Sequence, residues 1–350
     1  MSEENLPAAP ATPHRRRPRY RGKNPRRFEE KYKERNPALH ADTVAKVIAS
    51  GKTPAGTHRP IMVAEILAAL APRPGDLAVD GTLGYGGHAQ EILAKILPGG
   101  KLLGLDHDPI ELPKTEARLR ALGFGESVFT AHRSNFAGLP QVLAAQAIAG
   151  ADLILADLGV SSMQIDDPAR GFSVKFSGPL DMRMNPQRGQ PVSALLEKIR
   201  PDALAQLLMQ NADEPKAVQL GAALAGKSFT TTQALAEAIR AALPLVPREE
   251  CHLNIRRVFQ ALRIAVNDEF SALENFLRQL PGCLKPGGRV AILTFHSGED
   301  RRVKKALIGG RAAGLYSEIS EEIIRATPEE QRSNPRSAPA KLRWARRAEG

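Results

Sequence analysis

Three aspartates each close a short apolar run: Asp80 after Leu77-Ala78-Val79, Asp106 after Leu103-Gly104-Leu105, and Asp157 after Leu153-Ile154-Leu155-Ala156. Carboxylates so placed stand at the carboxyl ends of buried strands, where open α/β sheets bind their ligands. The first opens Asp80-Gly81-Thr82-Leu83-Gly84-Tyr85-Gly86-Gly87-His88-Ala89. Glycines there let the backbone turn sharply and approach a ligand, and the helix behind them offers free N–H groups and a positive dipole end. Gly84-x-Gly86-x-x-Ala89 satisfies the dinucleotide fingerprint, so an NAD site is one reading. Asp106 suits the ribose hydroxyls of either NAD or S-adenosylmethionine. Asp80 separates the two: inside the turn it repels a pyrophosphate but suits a sulfonium and an α-ammonium group. The competing reading has Asp80 merely capping the turn through its own backbone. Phe136, after Arg133-Ser134-Asn135, either stacks on an adenine ring or packs in the core. Asp157 and the loop after it face the group to be transferred.

The elements that must hold these residues alternate. Leu77–Asp80, Lys101–Leu105, Val128–Ala131 and Leu153–Ala156 read as strands, with helices over Ala89–Leu97, Glu111–Leu122 and Leu139–Ala149. Such alternation implies right-handed βαβ units on a parallel sheet. An amphipathic helix through Ile61, Ile66, Leu67 and Leu70 precedes them, and a short helix is possible near Asp42–Ser50. Ser161–Gln190 reads as loop and Val192–Pro247 as strand-free helix; a long amphipathic helix then covers Ile255–Leu280. Arg289–Phe295 resumes the sheet, and a last strand pair is expected near Leu315–Ile319 and Lys341–Trp344. The expected organisation is therefore a basic, disordered extension over 1–55, an α/β domain over 56–165 and 252–350, and a loop with an inserted helical subdomain over 166–251.

The 350 residues carry a net charge of +11, unevenly spread. Arg15–Arg35 holds eleven Lys or Arg against three Glu, and Arg332–Arg347 six basic residues and no acid. Two basic ends suit a polyanion, because phosphate contacts release counterions; the alternative is a solvated tail. No apolar run approaches the roughly 18 residues of a membrane helix, and Met1–Pro13 lacks an apolar leader core. A soluble, cytoplasmic protein is expected. Cys251 and Cys283 read as buried free thiols, and no Cys/His spacing suggests a metal.

Taken together, the motifs resemble one family, the ribosomal RNA small subunit methyltransferase H family. The matching stretches are Asp80–His88, Asp106-His-Asp-Pro109, Asp157-Leu-Gly-Val-Ser-Ser162, Arg170-Gly-Phe-Ser173 and Gly178–Met184. Phe259–Ile264, Gly287–Arg289, Phe295-His-Ser297, Asn334-Pro-Arg336 and Lys341-Leu-Arg343 follow in order. The resemblance implies a Rossmann-like, class I S-adenosylmethionine-dependent methyltransferase fold. It implies methylation of the N4 amine of a cytosine in the decoding centre of 16S rRNA, with the small ribosomal subunit as partner. It also implies cofactor contacts at Gly86, Gly87, His88, Asp106, Phe136, Asp157 and Gln164. The chain departs from the family's pattern at Met163 (usually Pro), Asn185 (Asp), Gly298 (Leu) and Ala338 (Arg), and Ala212–Lys216 lacks its Gly-Glu-Glu run.

The chemistry so implied is in-line attack by a weakly nucleophilic amine, which asks mainly for alignment and for a proton acceptor. Asp157 is the expected acceptor, helped by the Leu158 carbonyl or the Ser161 and Ser162 hydroxyls. His296 is the second catalytic candidate, touching a base edge or a phosphate; against it, Ser297 and Asp300 resemble a helix-capping box. Asp181 and Arg183 are expected to shape the acceptor pocket, Arg183 holding phosphate. The base must first leave its stack. Rival readings are a methyltransferase of DNA or protein, a non-catalytic RNA binder and a dehydrogenase. The charged extension yields one expected outcome: a chain lacking residues 1–52 loses RNA affinity mostly at low salt. Binding titrations across salt check it, and an unchanged salt slope would return the extension to a solvated tail.

Overall fold

The structure is a computed structural model that describes residues 60–161, 164–165, 167–175 and 177–349. The expected basic extension, the helix near Asp42–Ser50, and Ser162 and Met163 lie outside the described residues. From the first described residues the elements run α1 (Val63–Leu70), β1 (Leu77–Asp80), α2 (Gly87–Ile96), β2 (Lys101–Asp106), α3 (Glu111–Ala121), β3 (Phe129–Arg133), α4 (Leu139–Ala145) and β4 (Ala151–Asp157). A helical run follows: α5 (Val192–Lys198), α6 (Pro201–Ala212), α7 (Ala217–Leu224), α8 (Thr232–Ala242), α9 (Arg248–Asn267) and α10 (Glu269–Cys283). The chain then adds β5 (Leu284–Thr294), α11 (Ser297–Ala312), β6 (Tyr316–Ile319), α12 (Pro328–Ser333) and β7 (Lys341–Arg347).

The seven strands form one sheet in the order β3-β2-β1-β4-β5-β7-β6. β3, β2, β1, β4 and β5 are parallel, and β7 is antiparallel to both β5 and β6. This is the Rossmann-like class I arrangement expected from the sequence. The strand order reverses at β1, whose neighbours are β2 and β4, so a crevice opens above the carboxyl ends of those three strands. Each carries one of the three aspartates.

Successive side chains on a strand point to opposite faces, and the two faces bury separate cores. Ala78, Leu102, Leu153 and Leu155 pack with Ile66, Leu70, Ile92, Leu93 and Leu119 of α1, α2 and α3. Val79, Leu103, Leu105 and Ile154 pack with Leu139, Leu143, Phe276, Leu280 and Val303 of α4, α10 and α11. Strands buried on both faces read as unbroken apolar runs. Gly104 interrupts one because a Cβ there would stand 2.7 Å from Leu83 Cδ1; the glycine turn tucks Leu83 into β2.

The helical run has its own core, from Met182, Met184, Val192 and Leu196 through Leu208, Leu220 and Leu235 to Ile255, Val258 and Leu262. Its packing therefore continues past residue 251, where the insertion was expected to end. The helix expected over Ile255–Leu280 is two helices. Asp268, left-handed at φ 50°, ends α9 and starts α10. Apolar spacing continues across the break, but α9 faces the helical core and α10 the sheet, so the axis must turn between them. A partly buried ion pair, Arg263 to Glu269 at 2.8 Å, closes the corner. β5 starts earlier than expected, at Leu284. The turn at Gly287-Gly288 is absorbed as an irregularity against β4, between Ala151↔Leu284 and Leu153↔Arg289.

Cys251 and Cys283 are buried free thiols. No helix among the described residues is long and apolar enough to cross a membrane. Phe276, 1% exposed, ties α10 to the sheet; Phe276→Ala is expected to lower stability by about 3–5 kcal/mol. Denaturant unfolding checks this, and an unchanged midpoint would mean that α10 is not anchored there.

Candidate active site

β1 delivers Asp80 into the glycine turn with 1% of its surface exposed. Its Oδ1 accepts the Thr82 N–H at 3.1 Å. Gly84, at φ +48°, donates its N–H to Asp106 Oδ2 at 2.8 Å, and the Asp108 N–H reaches Asp106 Oδ1 at 2.9 Å. Asp106 thus ties the end of β2 to the turn, as well as facing the crevice. Gly86 and Gly87 do more than leave room for a ligand. A Cβ on Gly86 would stand 3.0 Å from Thr115 Cγ2, and one on Gly87 3.0 Å from Pro60 Cδ. They let α3 and the 60–62 segment close onto the N-terminus of α2.

His88 sits in the first turn of α2, 7% exposed. Its Nε2 lies 2.9 Å from the Ile61 carbonyl, which can only accept, so that nitrogen carries the proton. The 60–62 segment is itself held by the Met62 N–H on Glu330 Oε1 of α12, at 2.9 Å. Burial lowers the His88 pKa despite the Ile61 bond and the nearby Asp80. The neutral ring then turns its bare Nδ1 towards Asp157 Oδ2, 3.6 Å away, beyond hydrogen-bond length.

At the end of β4 the Asp157 N–H donates to Thr82 Oγ1 at 2.6 Å. Its Oδ1 is buried with no hydrogen-bond partner among the described residues. Burial, seconded by the charge of Glu299, pushes the Asp157 carboxyl up to about 7. Asp80 is raised to about 6, mainly by burial, with His88 and the Thr82 N–H opposing and Asp157 and Asp106 adding to it. Burial also raises Asp106. Asp80, buried, and Asp106 and Asp157, half-buried, therefore share one crevice, and among the described residues no lysine or arginine pairs with any of them. A ligand that brings positive charge beside hydroxyls fits this donor set; a pyrophosphate does not.

Phe136 stands beside the turn, where a Cβ on Gly81 would be 3.3 Å from Phe136 Cβ. Its ring meets Phe276 edge-on, with centroids 5.4 Å apart, while the residue stays only partly buried. Both readings of Phe136 thus have a physical basis: one side packs on the core and the rest lines the rim. Gln164 reaches the rim indirectly. Its Nε2 donates to Asp108 Oδ2 at 2.7 Å and its Oε1 accepts the Ser161 N–H at 2.9 Å.

Asp108 is fully buried and was not singled out from the sequence, although it stands in the quoted Asp106–Pro109 run. Burial alone would raise it, but bonds from Gln164 and the charge of Arg170 outweigh that and hold it below the ordinary carboxylate value. An aspartate ahead of Pro109 at a helix start signals a cap, and its Oδ1 does accept the Ile110 N–H at 2.9 Å. Nothing in the sequence signalled its second oxygen.

His296 stands at the N-cap of α11, its Nδ1 accepting the Glu299 N–H at 3.4 Å and its buried Nε2 lying 3.2 Å from Glu299 Oε1. Glu299 returns the contact by accepting the Phe295 N–H at 2.9 Å. The capping box is therefore His296 with Glu299, one residue before the expected Ser297 and Asp300. Ser297 instead bonds Asp213 at 3.0 Å, and Asp300 pairs with Arg343 at 2.7 Å. Glu299, through its charge on Asp157, is the residue of this segment that reaches the cluster. Asp181 and Arg183 bind each other, with both guanidinium contacts at 2.7 Å, and Arg183 also donates to Gly189 O at 3.2 Å. Three of the five guanidinium N–H groups are thereby engaged within its own loop.

Comparison with known proteins adds to this geometry. Residues 55–348 match the model of a family described as the MraW methylase family. A protein of Lachnoclostridium phytofermentans named ribosomal RNA small subunit methyltransferase H 1 is 47% identical over 344 residues, 96% of this chain and 93% of its own. A protein of the same name from Agathobacter rectalis is 47% identical over the full length of both chains. Ribosomal RNA small subunit methyltransferase H of Halorhodospira halophila is 40% identical over 86% of this chain and 97% of its own.

The raised carboxyls set a pH dependence. An unfolded aspartate titrates near 4, whereas Asp157 in the fold titrates at about 7, so between those values the folded chain holds the extra proton. Without ligand, stability is expected to fall as pH rises from about 4 to about 7 and then to level off. Asp157→Asn removes the part of that fall nearest 7, so the variant gains on the native chain between pH 5 and 8. Thermal melts across that range check it; parallel pH profiles would refute the buried, raised carboxyl.

Proposed function

The chain belongs to the MraW methylase family, and from that membership and the charge of its crevice we propose that it methylates small-subunit ribosomal RNA. The methyl donor is S-adenosylmethionine, which supplies an electrophilic carbon on a sulfonium leaving group. The acceptor is the exocyclic N4 amine of a cytosine in the decoding centre of 16S rRNA. One observation carries the reading: Asp80, buried, stands at one rim with the half-buried Asp106 and Asp157, and the buried Oδ1 of Asp157 has no partner among the described residues. Buried carboxylates normally find a donor or a counter-charge, and a sulfonium beside an amine provides both.

The residues divide the work. Asp106 keeps spare lone pairs on both oxygens and takes the ribose hydroxyls. Asp80, deep in the turn, offsets the donor's positive end. Gly86, whose own N–H is taken by the Leu83 carbonyl at 2.6 Å, turns the chain so that the Gly87 and His88 N–H groups open α2 towards the donor's carboxylate. Phe136 offers its exposed side to the adenine, and Gln164 limits that pocket from the β4 loop. Asp157 accepts the proton that N4 must lose as the N–C bond forms and the C–S bond breaks. That step needs the ionised carboxylate, so kcat/KM for the donor, which reports the ligand-free chain, should climb as pH rises through about 7. His296 caps α11 through Nδ1 and positions Glu299 beside Asp157.

The test incubates the purified chain with labelled S-adenosylmethionine and small-subunit rRNA and analyses the nucleosides by mass spectrometry. N4-methylcytidine is expected, and Asp157→Asn should lower kcat by about 10²–10⁴ while leaving donor affinity within tenfold. Label on another nucleoside would overturn the acceptor; a native rate in the variant would overturn the role of Asp157.

A further inference from the structure

Two of the recurring runs, Asp106-His-Asp-Pro109 and Arg170-Gly-Phe-Ser173, have no full account in methyl transfer. The structure joins them. Asp108 Oδ2 accepts Gln164 Nε2 at 2.7 Å and Arg170 Nη1 at 2.9 Å. Both partners of this ion pair are buried, Asp108 at 0% and Arg170 at 8% exposure. The other arm of the guanidinium, Nη2, donates to the carbonyls of Met184 at 2.7 Å and Arg183 at 3.3 Å. The Arg170 carbonyl accepts the Met182 N–H at 3.1 Å. A continuous series of bonds therefore runs from the Gly84 N–H through Asp106, the Asp108 amide and carboxylate, and Arg170, into the 178–184 loop.

That loop has no slack. A Cβ on Gly171 would fall on the Pro179 carbonyl and one on Gly178 on the Pro168 carbonyl, so the two segments lie back to back. Met182 holds a left-handed φ of 61° with its side chain buried in the helical core, a conformation that a non-glycine residue keeps only when its surroundings enforce it. Asn267, the last residue of α9, enforces it: its Oδ1 accepts the Met184 N–H at 2.7 Å and its Nδ2 donates to Met182 O at 2.8 Å. The loop is thus clamped by the helical subdomain on one side and by Arg170 on the other. On the Arg170 side, the clamp ends at the carboxylate next to the proposed donor site.

We propose that Arg170, oriented by Asp108, is a positioning residue that seats the 178–184 loop against the donor site, so that donor and RNA bind cooperatively. This rests on the reading that the rim takes S-adenosylmethionine and that Asp181 and Arg183 of this loop shape the acceptor pocket for RNA. Ligand contact at Asp106 and Gln164 steadies the Asp108 turn; the steadied carboxylate holds the guanidinium; the guanidinium holds the carbonyls of residues 183 and 184. A planar fork serves here because one arm must face the carboxylate while the other reaches two carbonyls. Coupling of this kind is reciprocal: whatever the donor site does for RNA affinity, RNA does for the donor site.

The experiment measures small-subunit rRNA binding with and without S-adenosylhomocysteine, and S-adenosylhomocysteine binding with and without the RNA. The native chain is expected to show the same ratio both ways, about fivefold or more. Arg170→Lys keeps the charge but loses the fork, and Asp108→Asn keeps the shape but loses the charge. Each should bring the ratio to about one and raise the KM for RNA about tenfold with a smaller change in kcat; Arg170→Lys, which leaves the Asp108–Gln164 bond in place, should also leave S-adenosylhomocysteine affinity alone within about threefold. A purely architectural pair would lower the melting temperature without touching the ratio. On the native chain, hydrogen exchange at the Met182 and Met184 amides should slow when S-adenosylhomocysteine binds, a readout that does not depend on any variant folding. A native ratio of one, a native ratio retained by a folded variant, or unchanged exchange overturns the proposal. A native chain that transfers no methyl to RNA sinks the functional reading instead.

Discussion

Taking a carboxylate out of water is costly unless hydrogen bonds or counter-charges replace its hydration, and this fold does so fully at Asp80 and in part at Asp106 and Asp157 within one crevice. The replacement comes mostly from backbone amides. Thr82 serves Asp80, while Gly84 and Asp108 serve Asp106; Asp157 is left with an oxygen unserved. Cations are kept one step away, Arg170 on Asp108 and Arg263 on Glu269. The crevice is therefore a preformed well for positive charge, and the raised values of Asp80 and Asp157 report how much the protein alone leaves uncompensated.

The rest of the architecture follows from holding those groups still. Placing β1 between β2 and β4 brings three strand ends together at the reversal of strand order. Gly86 and Gly87 let α3 and the 60–62 segment pack so closely that the tautomer of His88 is decided by a carbonyl. A substitution there would act through this packing as much as through any ligand. The helical subdomain reaches the site by way of α9, whose last residue, Asn267, grips the 178–184 loop while Asp268 turns the chain back to the sheet.

Much of this was legible in the residues. Apolar runs buried on both faces revealed the parallel strands, and the aspartate closing each run marked the crevice. The glycine turn and the final strand pair were placed nearly where they occur. What failed did so for identifiable reasons. The Ile255–Leu280 helix looked continuous because periodicity records an apolar face but not which core receives it. The capping box was placed on Ser297 and Asp300 because histidine is an uncommon cap, although its Nδ1 accepts an amide as a hydroxyl would. The pairing of Arg183 with Asp181, two residues back, shows only once the loop is folded.

By itself the amino-acid order determined the class of fold, the rim on which the chemistry lies and the sign of the charge it attracts, because these depend on local hydrophobic pattern and on which residues end each strand. Only tertiary structure decided which polar groups remain without partners. Asp157 was legible as a carboxylate at a strand end, but its bare Oδ1 and its raised titration come from what surrounds it in space. Asp108 and Arg170, 62 residues apart in the chain, became a pair only when the β2 turn and the loop after β4 folded onto each other. Burial and pairing belong to the packed whole, and no local spacing encodes them.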